Sequence, residues 1–106
     1  MSEFRQADQE EPAFIISVAA RMLGVHAQTL RYYERVGLIA PSRSNGRIRL
    51  YSQADVARLR QVQRLINDLG VNLAGVEVIL RMTERMRAME QELEELRAEL
   101  RRRHER

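Results

Sequence analysis

Cysteine is absent from this chain of 106 residues, and so is lysine. Without cysteine there are no disulfides, no thiolate metal sites and no thiol redox sensing within the chain. The two histidines, His26 and His104, stand far apart, so neither a built-in metal site nor a metal cofactor is expected. No apolar run approaches the ~20 residues of a membrane span. The acidic start does not resemble a signal peptide. These features predict a cytoplasmic protein with no membrane partner.

The lack of lysine makes all 18 basic residues arginine. Arginine binds phosphate and guanine bidentately and never loses its charge. High-GC codon usage removes lysine equally well, so its absence alone assigns no partner. The distribution of charge says more. Residues 1–12 carry one Arg against Glu3, Asp8, Glu10 and Glu11. Residues 13–66 carry nine Arg against Glu34 and Asp55, a net of +7, and residues 67–106 carry eight Arg against nine acids. A total of only +3 thus hides a basic middle segment, the electrostatic footprint of a nucleic-acid-binding module.

Residues 1–12 are polar, acidic and closed by Pro12, a composition expected of a disordered arm. Phe14, Ile15 and Ile16 suffice for a short edge strand, and Ser17 is placed to cap the next helix. Val18, Ala19, Met22 and Leu23 recur at helical spacing until Gly24, which can end a helix in left-handed geometry. A second helix is expected from His26 to Gly37, so the pair forms a helix-turn-helix. On that helix Leu30, Tyr33 and Glu34 share one face. Gln28, Arg31, Tyr32 and Arg35 share the other, which is the face expected in a major groove.

Asn45-Gly46 is a hairpin turn signal. Arg47-Ile48-Arg49-Leu50-Tyr51 then alternates, predicting Ile48 and Leu50 on one side and Arg47, Arg49 and Tyr51 on the other. Ser52 and Asp55 have capping-box spacing. Val56, Leu59, Val62, Ile66 and Leu69 are expected inward on the next helix, which should end at Gly70. Asn72 caps a further short helix bearing Leu73, Val76, Ile79 and Leu80. The fold class predicted is mainly α: a winged helix-turn-helix head over 13–81 with a small β-hairpin wing, then a dimerising coiled-coil helix over 82–106.

That last segment has Ile79, Met82, Met86, Met89, Leu93, Leu96 and Leu100 in alternating steps of three and four, a heptad stripe among Glu, Gln and Arg. So narrow a stripe needs a second helix to bury it, which predicts a homodimer. Parallel pairing matches Arg85 with Glu90 and Glu92 with Arg97. Antiparallel pairing matches Arg85 with Glu99 but sets Glu90 and Glu92 each opposite its own copy. Such surface pairs contribute only ~0–1 kcal/mol each, so geometry decides. Half-sites one turn apart need heads about 34 Å apart, and an antiparallel pair of roughly 20-residue helices spans about 30 Å. The expected pairing is antiparallel. Its three methionines make a soft seam.

Thr29-Leu30-Arg31-Tyr32-Tyr33-Glu34, then Gly37-Leu38, with Arg49 and Tyr51 closing the wing, resembles the MerR family of transcription regulators. Ile16 to Ala20, Gly24 to Arg31 and Gly70 to Val76 resemble its heat-shock repressor branch. The resemblance implies a dimer binding an inverted repeat of double-stranded DNA upstream of chaperone genes, with the DnaK chaperone as co-repressor. It carries groove contacts to Arg31 and Tyr32, flanked by Gln28, Thr29 and Arg35. It carries phosphate contacts to Arg49, with Arg43 and Arg47 also near phosphate. Tyr51 matches the aromatic that ends the wing, either touching DNA or packing the hairpin onto the next helix. Many family members sense metals or drugs through cysteines or a further domain. Neither occurs up to Arg106, so a signal is expected from a partner, from temperature or from dimerisation.

A repressor is the leading expectation. An activator that untwists a promoter, or a coiled-coil adaptor whose head binds protein, would share much of this pattern. An enzyme is not expected, because no acid, base and nucleophile stand in a recognisable constellation.

Overall fold

Gly24 stops the first helix by taking φ +68°, a geometry that costs a residue without Cβ nothing. The chain reverses there in a Schellman arrangement, with Val25 N–H donating to the Ala20 carbonyl and Gly24 N–H to that of Arg21. The computed structural model describes residues 9–105. In order they form β1 (Phe14–Ile15), α1 (Ile16–Leu23), α2 (Ala27–Arg35), β2 (Ser42–Arg43), β3 (Arg49–Tyr51), α3 (Gln53–Gln63), a π-helical turn (Arg64–Asp68) and α4 (Leu73–His104). Most of the acidic arm, residues 1–8, lies outside the described residues. Gln9 to Pro12 are exposed.

The chain divides into two compact units at Gly70 and Val71. In the first, α1 packs on α2, α3 and β3. Its core holds Ala19, Ala20, Leu23, Leu30, Ile39, Tyr51, Val56 and Leu59, with Phe14, Ile16, Val25 and Tyr33 around them. The sheet is antiparallel in the order β1-β3-β2, with Phe14 opposite Tyr51, Ile15 opposite Leu50 and Arg43 opposite Arg49. The expected edge strand is therefore present, but it ends at Ile15. Ile15 itself occupies the cap position, no side chain caps α1, and Ser17 lies exposed within its first turn. The capping role expected of Ser17 is thus corrected, because the strand runs straight into the helix two residues earlier than the cap pattern suggested.

The wing turns where Asn45-Gly46 predicted, by a different turn. Arg47 N–H donates to the Ser44 carbonyl at 2.8 Å and Ser44 N–H to that of Ile48 at 2.9 Å. The left-handed residue is Arg47, at φ +64°, not Gly46. That geometry costs a residue with a Cβ roughly 1–2 kcal/mol. Arg47→Gly is accordingly expected to raise stability by about 1 kcal/mol, roughly 4–8 °C in melting temperature for a unit this small. Thermal unfolding checks it; an unchanged or lower midpoint would mean that contacts of the Arg47 side chain outweigh the strain.

Alternation left open which face of β3 turns inward, and the structure turns the Tyr51 face inward. Tyr51 is wholly buried and Arg49 partly so, whereas Ile48 is 56% exposed. Alternation placed Arg49 and Tyr51 together correctly, and the helices lie on their side of the ribbon. The large Tyr51 ring fills the core, and Arg49 is tolerated beside it because a carboxylate meets its guanidinium.

On α3, Ser52 and Asp55 close the expected capping box, both bonds at 3.0 Å. Val56, Leu59 and Val62 are buried. Leu69 is 72% exposed rather than inward, since the π-helical turn inserts an extra residue into the repeat and rotates the positions beyond it. Two side chains tie α3 to the helix-turn-helix: Gln63 Nε2 donates to the Leu23 carbonyl at 2.7 Å and Arg58 Nε to that of Leu38 at 2.9 Å.

In the second unit, Asn72 Oδ1 accepts from Gly75 N–H at 2.8 Å and starts α4. A Cβ on Gly75 would lie 2.8 Å from Val71 Cγ1, so the tight entry needs glycine. The short helix and the coiled-coil segment expected as separate pieces, with a boundary between 81 and 82, form one helix of 32 residues. Neither Gly nor Pro occurs from Val76 to His104, so nothing interrupts it. Val76 and Leu80 are buried, while Met82, Met86, Met89, Leu93, Leu96 and Leu100 are 47–59% exposed along one stripe. Among the described residues no helix is long and apolar enough to cross a membrane.

Candidate nucleic-acid interface

The second helix of the helix-turn-helix sorts its side chains sharply. Leu30 is fully buried and Tyr33 partly so, which anchors α2 and turns the Arg31 side outward. Burial, with a smaller contribution from Tyr32, raises the Tyr33 pKa, keeping that phenol neutral. On the outward side Arg31 Nη1 donates to Gln28 Oε1 at 2.8 Å. The Arg35 guanidinium carbon lies 5.6 Å from the centre of the Tyr32 ring, within cation–π range. Both guanidinium groups are therefore held by a neighbour one turn or less away. Thr29, in the first turn, is half-buried.

The wing joins this face through one acid. Glu34 Oε2 accepts from Arg43 Nη2 at 2.8 Å, and Oε1 accepts from Arg49 Nε. The hydrogen bond from Arg49, with the charges of Arg49 and Arg43, holds the Glu34 carboxyl below the ordinary carboxylate range despite partial burial. Arg31, Glu34, Arg35 and Arg49 line a shallow cleft of about 350 Å³. Arg43 also donates to the Arg47 carbonyl at 3.4 Å, and the Arg47 side chain stands exposed at the wing tip.

Seven of the nine expected DNA-facing residues (Gln28, Arg31, Tyr32, Arg35, Arg43, Arg47 and Arg49) thus stand at the outward side of α2 or on the wing, with Thr29 at the helix start. Tyr51 does not. It is fully buried, its hydroxyl has no hydrogen-bond partner, and burial raises its pKa; packing is its role, and contact with DNA is withdrawn. Sequence reasoning missed the part played by Glu34, which it had set on the core face. The available signal was that only two acids stand among nine arginines over 13–66. Among the described residues no group of His, Asp or Glu could hold a metal ion.

The expected seam residues lie in register along α4: Ile79 half-buried, then Met82, Met86, Met89, Leu93, Leu96 and Leu100 exposed. Salt bridges Glu77–Arg81, Glu94–Arg101 and Glu99–Arg103 flank them.

Comparison with known proteins matches residues 14–83 to the MerR HTH family regulatory protein model. Over 92 residues, 87% of this chain and 61% of the relative, the chain is 45% identical to a protein named heat shock protein HspR from Streptomyces coelicolor. It is 37% identical over 73 residues to the HTH-type transcriptional regulator GlnR of Bacillus anthracis, covering 69% of this chain and 56% of that one. Among solved structures, a MerR-family transcriptional regulator from Bacillus cereus superposes with a TM-score of 0.60 at 30% identity, covering 84% of this chain and 70% of that one. The chain spans less than two thirds of the length of these curated relatives. The family and these relatives are regulators, not enzymes. The outward arginines of α2, the arginine wing tied to it and the match over most of the folded residues lead to one assignment: this chain belongs to the MerR HTH family of regulatory proteins.

Proposed function

We propose that the chain acts as a dimeric, sequence-specific DNA-binding repressor of heat-shock genes. The observation that carries this reading is the joint display of Arg31 and Tyr32 on α2 and of arginines on a wing pegged to that helix by Glu34. The helix reads base edges in the major groove, and the wing arginines bind phosphate. The likeness to HspR supports heat-shock genes as the target. The exposed stripe of α4 supports a two-fold pair, with the stretch from Met82 to Leu100 running roughly 27 Å at 1.5 Å per residue. Paired antiparallel, two such helices carry a head at each end, suited to an inverted repeat with half-sites about 34 Å apart. DnaK as co-repressor is the partner that the resemblance to the heat-shock branch implies.

Footprinting on the region upstream of chaperone genes tests the reading, with a protected inverted repeat expected. Arg31→Ala should cost about 1–3 kcal/mol of operator binding and relax base preference. Arg49→Ala should weaken all sequences alike and flatten the salt dependence by about one counterion. Competition binding at several salt concentrations reads both. Operator binding unaltered in both variants would remove these residues from the interface.

A further inference from the structure

We infer that Glu34 is the specificity-determining residue of the basic face: its carboxylate pegs the wing to the groove helix and keeps arbitrary duplex from occupying the arginine cleft. This rests on the DNA-binding reading above and assigns a task to a residue that does not itself touch DNA.

Arg43 and Arg49 sit directly opposite each other across β2 and β3. Like charges in such a pair repel, and an anion between them relieves that repulsion. A bound phosphate could supply that charge, but Glu34 already does, one oxygen to each arginine. The carboxylate is rooted on the last turn of α2. The positions of the wing guanidiniums relative to Arg31 are therefore set by the protein before any duplex arrives. Arg49 uses only its Nε–H on Glu34, and a guanidinium has five N–H donors, so its remaining ones can still engage phosphate once the helix is seated.

The same carboxylate lines the cleft together with Arg31, Arg35 and Arg49. Without its charge, three guanidiniums would face a space open to any phosphate. With it, a phosphate entering without the compensating base contacts of α2 meets a negative group that is only 22% exposed and that its arginine neighbours keep ionised. The penalty falls on complexes in which a phosphate enters the cleft, whereas with the helix seated the wing meets phosphate through the N–H donors that Glu34 leaves free. Affinity for the right site is thus lowered slightly and affinity for wrong sites strongly, which is how a repulsive element creates discrimination.

The test compares wild type, Glu34→Gln and Glu34→Asp on two duplexes: one selected from a random pool by the wild-type protein, and a shuffled duplex of the same composition. Glu34→Gln keeps the size of the side chain and removes its charge. It is expected to bind the shuffled duplex about tenfold more tightly near 0.1 M salt, with a salt slope steeper by about one, as for one additional phosphate contact. The selected-to-shuffled ratio should fall by a similar factor. Glu34→Asp keeps the charge and should retain the wild-type slope and the weak binding of the shuffled duplex. A purely structural role gives the opposite pattern, with Glu34→Gln weakening both duplexes and the slope flat or unchanged; that result overturns the inference. Should Glu34→Gln not fold, a steeper slope in Glu34→Asp would overturn it equally. A wild-type protein that selects no duplex overturns the DNA-binding reading itself, whatever the variants do.

Discussion

Tyr51→Ala is expected to cost about 3–5 kcal/mol of folding stability, the usual loss when a buried aromatic is truncated. Small domains have a net stability of only about 5–15 kcal/mol, so the variant should lie near the edge of unfolding. The Tyr51 ring is wholly buried and opposes Phe14 across β1 and β3, in the core that α1 and α3 share. Removing it takes away the side chain that joins the wing to the helices. Tyr51→Phe is the informative companion. The hydroxyl is buried without a hydrogen-bond partner, and such a group costs about 1–3 kcal/mol. Tyr51→Phe should leave stability unchanged or raise it by about 1 kcal/mol, with duplex affinity unaltered. Urea unfolding at fixed protein concentration, paired with a binding titration, reads both. Lost affinity at unchanged stability in Tyr51→Phe would return Tyr51 to the DNA surface.

Leu93→Glu is expected to turn a dimer into a monomer at micromolar concentration. Leu93 lies mid-stripe on α4, 47% exposed in the single chain. In the proposed antiparallel pair, Met89 of one helix layers against Leu93 of the other, so the substitution sets two carboxylates within the seam. An unpaired charge in such a place is costly enough to break the contact. Separated heads then bind half-sites independently and lose the effective concentration that a fixed link provides, typically 10²–10⁴-fold in avidity. Operator affinity should therefore fall by about 100-fold or more. Ala88→Glu, on the exposed side away from the stripe, adds the same charge and should stay dimeric. Sedimentation equilibrium decides; a Leu93→Glu protein that remains a dimer would sink the seam.

Much of the architecture was legible because it is written in short windows. The turn at Gly24, the capping box at Ser52 and Asp55, and the cap at Asn72 each depend on residues within five positions of one another. The split of α2 into a Leu30 face and an Arg31 face follows from 3.6-residue periodicity alone. The same holds for the stripe from Ile79 to Leu100. The errors fall where local rules are ambiguous. Ser17 has the chemistry of a cap, but the pairing of Ile15 with Leu50 decided where the strand stopped. Asn45-Gly46 marked the wing turn, yet strand register put the left-handed residue at Arg47. A periodic pattern through Leu69 could not register the extra residue of the π-helical turn.

The amino-acid order by itself determined the succession of elements, the basic surface of the second helix and the apolar stripe of the last, since each arises from neighbours a turn or less apart. Only the tertiary structure decided which side of β3 faces inward, because alternation pairs Arg49 with Tyr51 but does not say where the helices lie. It alone also brought Glu34 to Arg49, fifteen positions away in the chain. A contact of that range is made by packing the wing against α2, and no local pattern of residues encodes it.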